Sequence, residues 1–248
     1  MSGRAWSLRW TESGVTSVSS WVASVSLPWT LTEARLVRRY KRFLADIDSE
    51  LVIHCPNTGA MTGLAEPGSR IGYEPRTGGK TAGRWVLVET AGGWACIDSQ
   101  RANHWVKTGL ASGLWPGFDG MRWKAEVKLD DSRVDFFGQN ADESLWLEVK
   151  GVTLLTDETG RGAFPDAKSV RAHKHLDALR GRVAAGERAG LMYVLMHNGI
   201  NRVEPAVHID PVYGEKVEQA RAEGVEFYQL PAKVGLHGVE LGVPTRLP

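Results

Sequence analysis

Between residues 35 and 97 apolar positions come in short runs separated by turn formers, which predicts strands at 39–47, 51–55, 70–74, 84–90 and 93–98. The separators are Pro56-Asn57-Thr58-Gly59, Pro67-Gly68 and Thr77-Gly78-Gly79-Lys80. Short strands punctuated by glycine turns predict a small closed or nearly closed β-barrel. Past Asp98 the period changes. Asp98 or Ser99 is placed to cap a helix running to about Leu110, which Gly113, Pro116 and Gly117 end. Strands are expected at 123–129, 133–137 and 145–155, and a helix from Asp166 or Ser169 to about Leu179. A strand at 191–196, a helix at 213–222 stopped by Gly224, and a strand at 225–230 complete the pattern. Helix, three strands, helix, strand is an α/β arrangement with a crossover. The fold class is therefore a two-domain α+β or α/β chain, a small barrel followed by a mixed sheet.

Strand periodicity also sorts the charges. In Leu145-Trp146-Leu147-Glu148-Val149-Lys150 the residues Leu145, Leu147 and Val149 share one face, and Glu148 and Lys150 share the other. Asp135 lies in the preceding strand. A hairpin centred near 141 or 142 sets it opposite Glu148, and facing Cβ atoms in such a pair are about 4.5–5.5 Å apart. Two carboxylates so close repel, and a hard cation such as Mg²⁺ or Mn²⁺ relieves this. Lys150, on the same face, is a candidate for orienting an attacking water or stabilising charge on a phosphoryl group. Glu126, one strand earlier, is a candidate third carboxylate. The competing reading is a cross-strand salt bridge on a solvated sheet face. The paired Asp, the apolar flanks and the helix that follows favour the metal site.

Composition narrows the partners. The 248 residues carry 30 basic and 29 acidic side chains, a net charge of +1, so nucleic-acid binding requires a local basic patch. One such patch runs from Arg35 to Phe43. Arg38, Arg39, Lys41 and Arg42 are candidate phosphate contacts, and the interleaved Phe43 is a candidate stacking surface. A solvated basic strand with its aromatics in the barrel core is the equal alternative. Backbone amides of the turn containing Asn57 and Thr58 are further candidates for a phosphate, as is Lys174 on the second helix. His173, beside it, reads as surface charge. The two cysteines, Cys55 and Cys96, give no disulfide framework and fit reduced thiols in a cytoplasmic protein. No apolar run reaches the roughly 18 residues a membrane helix needs. Phosphate-loop, dinucleotide and serine-hydrolase motifs are missing. Residues 1–26, rich in tryptophan and serine, are expected to be a disordered extension, with a degenerate signal peptide as the lesser alternative.

The strings RRYKRFLADI, HCPNTGAMTGL, RVDF, LEVKGVTL and FPDA occur in this order from Arg38 to Ala167. Together they resemble the sugar fermentation stimulation protein A family over the chain from about Leu27 onward. The resemblance implies an oligonucleotide-binding (OB) barrel at 27–97 and a domain related to PD-(D/E)XK (restriction-endonuclease-like) nucleases at 98–248. It implies Asp135, Glu148 and Lys150 at the motif positions, Glu126 as the additional acid, and Val134 where the motif has proline. Members of the family usually begin near Leu27. They are described as DNA-binding, with a suspected regulatory role in sugar (maltose) metabolism. DNA is the first expected partner and RNA the second, with non-catalytic DNA binding as the alternative to nuclease activity.

Overall fold

A computed structural model describes residues 24–129 and 132–248. In chain order the first half forms β1 (Val25–Pro28), β2 (Thr32–Tyr40), β3 (Leu44–Ile47), β4 (Val52–His54), β5 (Arg70–Pro75), β6 (Gly83–Thr90) and β7 (Gly93–Cys96). The second half forms α1 (Gln100–Ser112), β8 (Arg122–Leu129), β9 (Ser132–Gln139), β10 (Ser144–Val152), β11 (Leu154–Leu155) and β12 (Arg161–Phe164). It continues with α2 (Val170–Ala184), β13 (Arg188–Leu195), β14 (Arg202–Pro205), α3 (Pro211–Ala222), β15 (Glu226–Gly235), β16 (Gly238–Leu241) and β17 (Thr245–Arg246).

The first domain is a closed barrel. Its sheet runs β4-β3-β2-β5-β6-β7, and a parallel pairing of β4 with β6 joins the ends of the first five strands. Leu36, Ile47, Ile53, Ile71, Trp85 and Ile97 fill it. The expected strand at 39–47 is two strands. Lys41 and Arg42, with φ of 47° and 62°, turn the chain between them. Neither residue is the glycine, asparagine or aspartate that normally marks such a turn, so the sequence carries no warning of it. Each pays about 1 kcal/mol for a left-handed conformation.

The second domain is built on a mixed sheet, β1-β16-β15-β13-β10-β9-β8, in which β10, β13 and β15 run parallel. Leu145, Leu147 and Val149 of β10 pack with Ala102, Trp105 and Val106 of α1 on one face. Leu191, Tyr193 and Leu195 of β13 pack with Leu176 and Leu179 of α2 and Val217 of α3 on the other. A sheet buried on both faces explains the continuous apolar run of β13. Val25 and Ser26 pair with Leu241 and Glu240, so these two residues of the expected extension are sheet. The rest of that extension, up to residue 23, lies outside the described residues.

Backbone bonds join the domains: Cys96 N donates to Met196 O (2.7 Å) and Asn198 N to Trp94 O (2.9 Å). Cys55 and Cys96 are buried free thiols. Among the described residues no helix is long and apolar enough to cross a membrane.

Candidate active site

The β9–β10 hairpin has the register expected of it, with Trp146 opposite Phe137 and Leu147 opposite Phe136. One step further the same register sets Glu148 against Asp135, and there the ladder stops. Instead of bonding across to the backbone, Val149 N–H donates to Asp135 Oδ2 (2.8 Å). On the other side the β8–β9 pairing runs through Ala125↔Phe136 and Val127↔Val134 without a partner for Asp135. The residue skipped there, Glu126, has φ of 55°. Both ladders thus open around Asp135, and the irregular backbone gathers where the acids are.

Asp135 Oδ1 accepts from Asn103 Nδ2 of α1 (2.6 Å). Burial and the neighbouring charge of Glu148 raise the Asp135 pKa to about 6, against the pull of the Val149 N–H, Lys150 and Asn103. Glu148 is 3% exposed. Burial alone would raise its pKa, but the hydrogen bond from His175 and the charge of Lys150 outweigh this and hold it below the ordinary value. Lys150 Nζ donates to Glu148 Oε1 (2.6 Å) and lies 3.0 Å from His175 Nδ1. His175, on α2, also bonds Glu148 Oε1 through Nδ1.

Asp135, Glu148 and Lys150 floor a cleft of about 570 Å³, walled by Asn57 and Gly59 of the barrel, Gln100 and Asn103 of α1, and Asp166. The two domains share it. A Cβ on Gly59 would sit 2.5 Å from Asp166 Oδ2, so a side chain here would push the Asp166 carboxylate aside as this loop meets the second domain. Burial raises the Asp166 pKa, although its carboxylate takes backbone N–H bonds, one of them from Met61.

Of the expected site residues, the structure brings Asp135, Glu148 and Lys150 together. Glu126 lines the same cleft but is exposed. Among the described residues no three His, Cys, Asp or Glu side chains gather as a metal cage, Glu126 with the Asp135–Glu148 pair included. Its left-handed backbone in β8 sets it apart.

Arg39 is not a free phosphate contact. Its Nη2 donates to the carbonyls of Asn57 (2.9 Å), Arg42 (3.2 Å) and Gly59 (3.3 Å), fixing the cleft loop to the hairpin tip. Arg38 pairs with Asp46 and lies over Tyr40 at the surface. Lys41, Arg42 and Phe43 form the exposed tip, Phe43 being 50% exposed. Asn57 Oδ1 is occupied by the Gly59 N–H (2.7 Å), while Thr58 is exposed at the cleft. Lys174 is exposed on α2. His173 is not surface charge: its Nε2 meets both oxygens of the buried Asp210 at 3.0 and 2.9 Å. Sequence reasoning missed Asn103 and Arg171 altogether. It met His175 only as a weaker candidate for reaching a phosphate from the start of the second helix, and Asp166 only as a possible helix start. The FPDA string was the one signal for Asp166.

A closed barrel sharing a cleft with a mixed-sheet domain, the cleft floored by two buried carboxylates and a lysine, defines a two-domain protein with an OB-type first half. The family model described as the SfsA N-terminal OB domain matches residues 37–97, and the one described as the sugar fermentation stimulation protein RE domain matches residues 100–238. The chain belongs to the sugar fermentation stimulation protein family. A homolog of that protein from Pseudomonas paraeruginosa is 42% identical over 231 residues, covering 88% of this chain and 97% of the relative. One from Hahella chejuensis is 46% identical over 207 residues, covering 79% and 85%. A solved structure of Pyrococcus furiosus SfsA in complex with Ca²⁺ matches with a TM-score of 0.81 at 23% identity, covering 90% of this chain and 97% of that one.

Proposed function

We propose that the chain binds nucleic acid, DNA before RNA, and that its second domain hydrolyses phosphodiesters at a divalent-metal centre of the PD-(D/E)XK type. The observation that carries this is the buried Asp135–Glu148 pair beside Lys150, at the floor of a cleft walled by a barrel loop. The donor set fits a hard cation: the carboxylates are all-oxygen ligands, and their mutual repulsion is part of what raises Asp135. Asp135 and Glu148 would hold Mg²⁺ or Mn²⁺. When bound, such an ion polarises a phosphate oxygen and acidifies a water. That the P. furiosus relative takes Ca²⁺ supports a divalent cation here. Lys150 offers a cation for charge developing on the phosphate. Asn103 and the Val149 N–H hold Asp135 in place. The exposed tip, Lys41, Arg42 and Phe43, is the nucleic-acid contact on the barrel, with Lys174 a second contact on α2. Buried free thiols fit a cytoplasmic protein.

The test is to incubate the full chain with end-labelled single- and double-stranded DNA and RNA, in Mg²⁺, Mn²⁺ or EDTA. Metal-dependent products support the reading and identify the substrate. Binding without cleavage under every condition supports a non-catalytic, regulatory DNA-binding role instead.

Two further results are expected. Metal binding needs Asp135 ionised, so with its pKa near 6 the apparent Mn²⁺ affinity rises about tenfold from pH 5 to pH 7. Calorimetric titration at the two pH values checks this, and a flat profile removes Asp135 from the ligand set. Replacing Lys41 and Arg42 together by Ala weakens DNA binding and lowers the salt slope by roughly 1.4–1.8. Fluorescence anisotropy across a salt series measures it. An unchanged slope means that the tip does not touch phosphates.

A further inference from the structure

Arg171 and His175 are one helical turn apart on α2, on the side that meets β10. Arg171 Nε donates to His175 Nε2 at 3.3 Å. A guanidinium has donors and no acceptor, so Nε2 presents a lone pair. If Nδ1 were also bare the ring would be an imidazolate, which does not form near neutral pH. The ring proton is therefore on Nδ1, and its acceptor is Glu148 Oε1. Lys150 Nζ, 3.0 Å from Nδ1, is then a neighbour drawn to the same oxygen, not a hydrogen-bond donor to the ring.

We infer that His175 is a positioning residue of the cleft: as the Nδ1–H tautomer, selected by Arg171, it fixes Glu148 by Oε1 and leaves Oε2 as the oxygen available to a cation. Its functional consequence rests on the metal-centre reading above; the tautomer does not. Without the clamp, Lys150 alone would hold Glu148, and a flexible ammonium does so with less directional control than a ring locked in a helix. Outer partners that orient a metal ligand typically matter by 10–100-fold in affinity.

Two measurements test this. Long-range ¹H–¹⁵N correlation on the ¹⁵N-labelled full chain reads the ring directly, with His175→Asn assigning the signal. A pyrrole-like Nδ1 and a pyridine-like Nε2 are expected in the wild type. A proton on Nε2, or on both nitrogens, overturns the inference whether or not the protein cleaves anything. The Arg171→Ala ring is expected to show a mixture of tautomers, and an unaltered pattern overturns the role given to Arg171. The second measurement is Mn²⁺ affinity by calorimetry. An Asn amide occupies the Nδ1 position, so His175→Asn keeps affinity within about threefold, whereas His175→Gln, whose amide reaches the Nε2 position, loses roughly 10–100-fold. Equal losses in both variants, or none in either, overturn the positioning role. A wild type that binds no Mn²⁺ sinks the metal-centre reading, and the ring spectrum still decides the tautomer.

Discussion

Asp135→Asn should abolish metal-dependent cleavage, a fall on the order of 10³-fold or more, while DNA binding at the hairpin tip survives. A metal ion's stabilisation of a phosphoryl transition state amounts to several kcal/mol, and each 1.36 kcal/mol is tenfold in rate. The substitution keeps the side chain's shape and removes its charge. It also leaves an amide between two donors, the Val149 N–H and Asn103 Nδ2, where the wild type has two acceptor oxygens. That mismatch destabilises the variant, and relief of the repulsion with Glu148 acts the other way. The two are separable by pH. A carboxyl raised from 3.8 to about 6 favours the folded state while protonated, an advantage complete below the lower value and gone above the upper one. Wild-type stability therefore loses this contribution as pH rises from about 4 to 6, and the variant's does not. Thermal melts at the two pH values, run beside the cleavage assay, separate a lost ligand from a damaged fold. Residual cleavage within tenfold of wild type would move the chemistry away from Asp135.

The acids were legible because strand alternation is a strict local rule: Glu148 and Lys150 on one face, Leu145, Leu147 and Val149 on the other, with the hairpin register placing Asp135. Features set by tertiary context were not. The turn at Lys41 and Arg42 lacks turn residues, so the two strands read as one. Glu126 belongs to β8 as expected, but its left-handed backbone is a response to the opening around Asp135 and has no sequence signature. His175, Arg171 and Asn103 reach the site from helices far along the chain, and helix periodicity says which residues share a face without saying what that face meets. Arg39 was read as a phosphate contact from composition; the carbonyls it holds come from a loop whose approach only the closed barrel produces.

Asp98 shows the same limit with the larger energetic consequence. Local sequence offers Asp98 or Ser99 as the helix cap; Ser99 takes that position in α1, with no side-chain cap bond, and Asp98 does something the sequence does not announce. The Asp98 carboxylate, 3% exposed, instead takes Arg84 Nε (2.7 Å) and Nη2 (2.6 Å) and Arg101 Nε (3.3 Å). Arg84 comes from the barrel and Arg101 from α1, so this buried anion ties the two where the domains meet, beside a second pair from Arg101 to Glu74 of β5 (2.5 Å). Asp98→Ala strands the Arg84 guanidinium, 14% exposed and left with only the Gln100 amide oxygen, while Arg101 keeps Glu74, and should cost about 3 kcal/mol. For a chain of this size that is a drop of roughly 10 °C in Tm. Adding Arg84→Leu to Asp98→Ala should recover part of the loss, because the penalty lies mostly in stranding the buried cation. Equilibrium denaturation of the single and double variants measures the coupling. A single-variant loss below about 1 kcal/mol would assign the junction to the Glu74–Arg101 pair and the backbone bonds from Cys96 to Met196 and from Asn198 to Trp94 instead. Since Asn103 on the same helix holds Asp135, the Asp98→Ala variant should also bind Mn²⁺ less tightly. The ion network at the domain junction would then act on the cleft through the seating of α1.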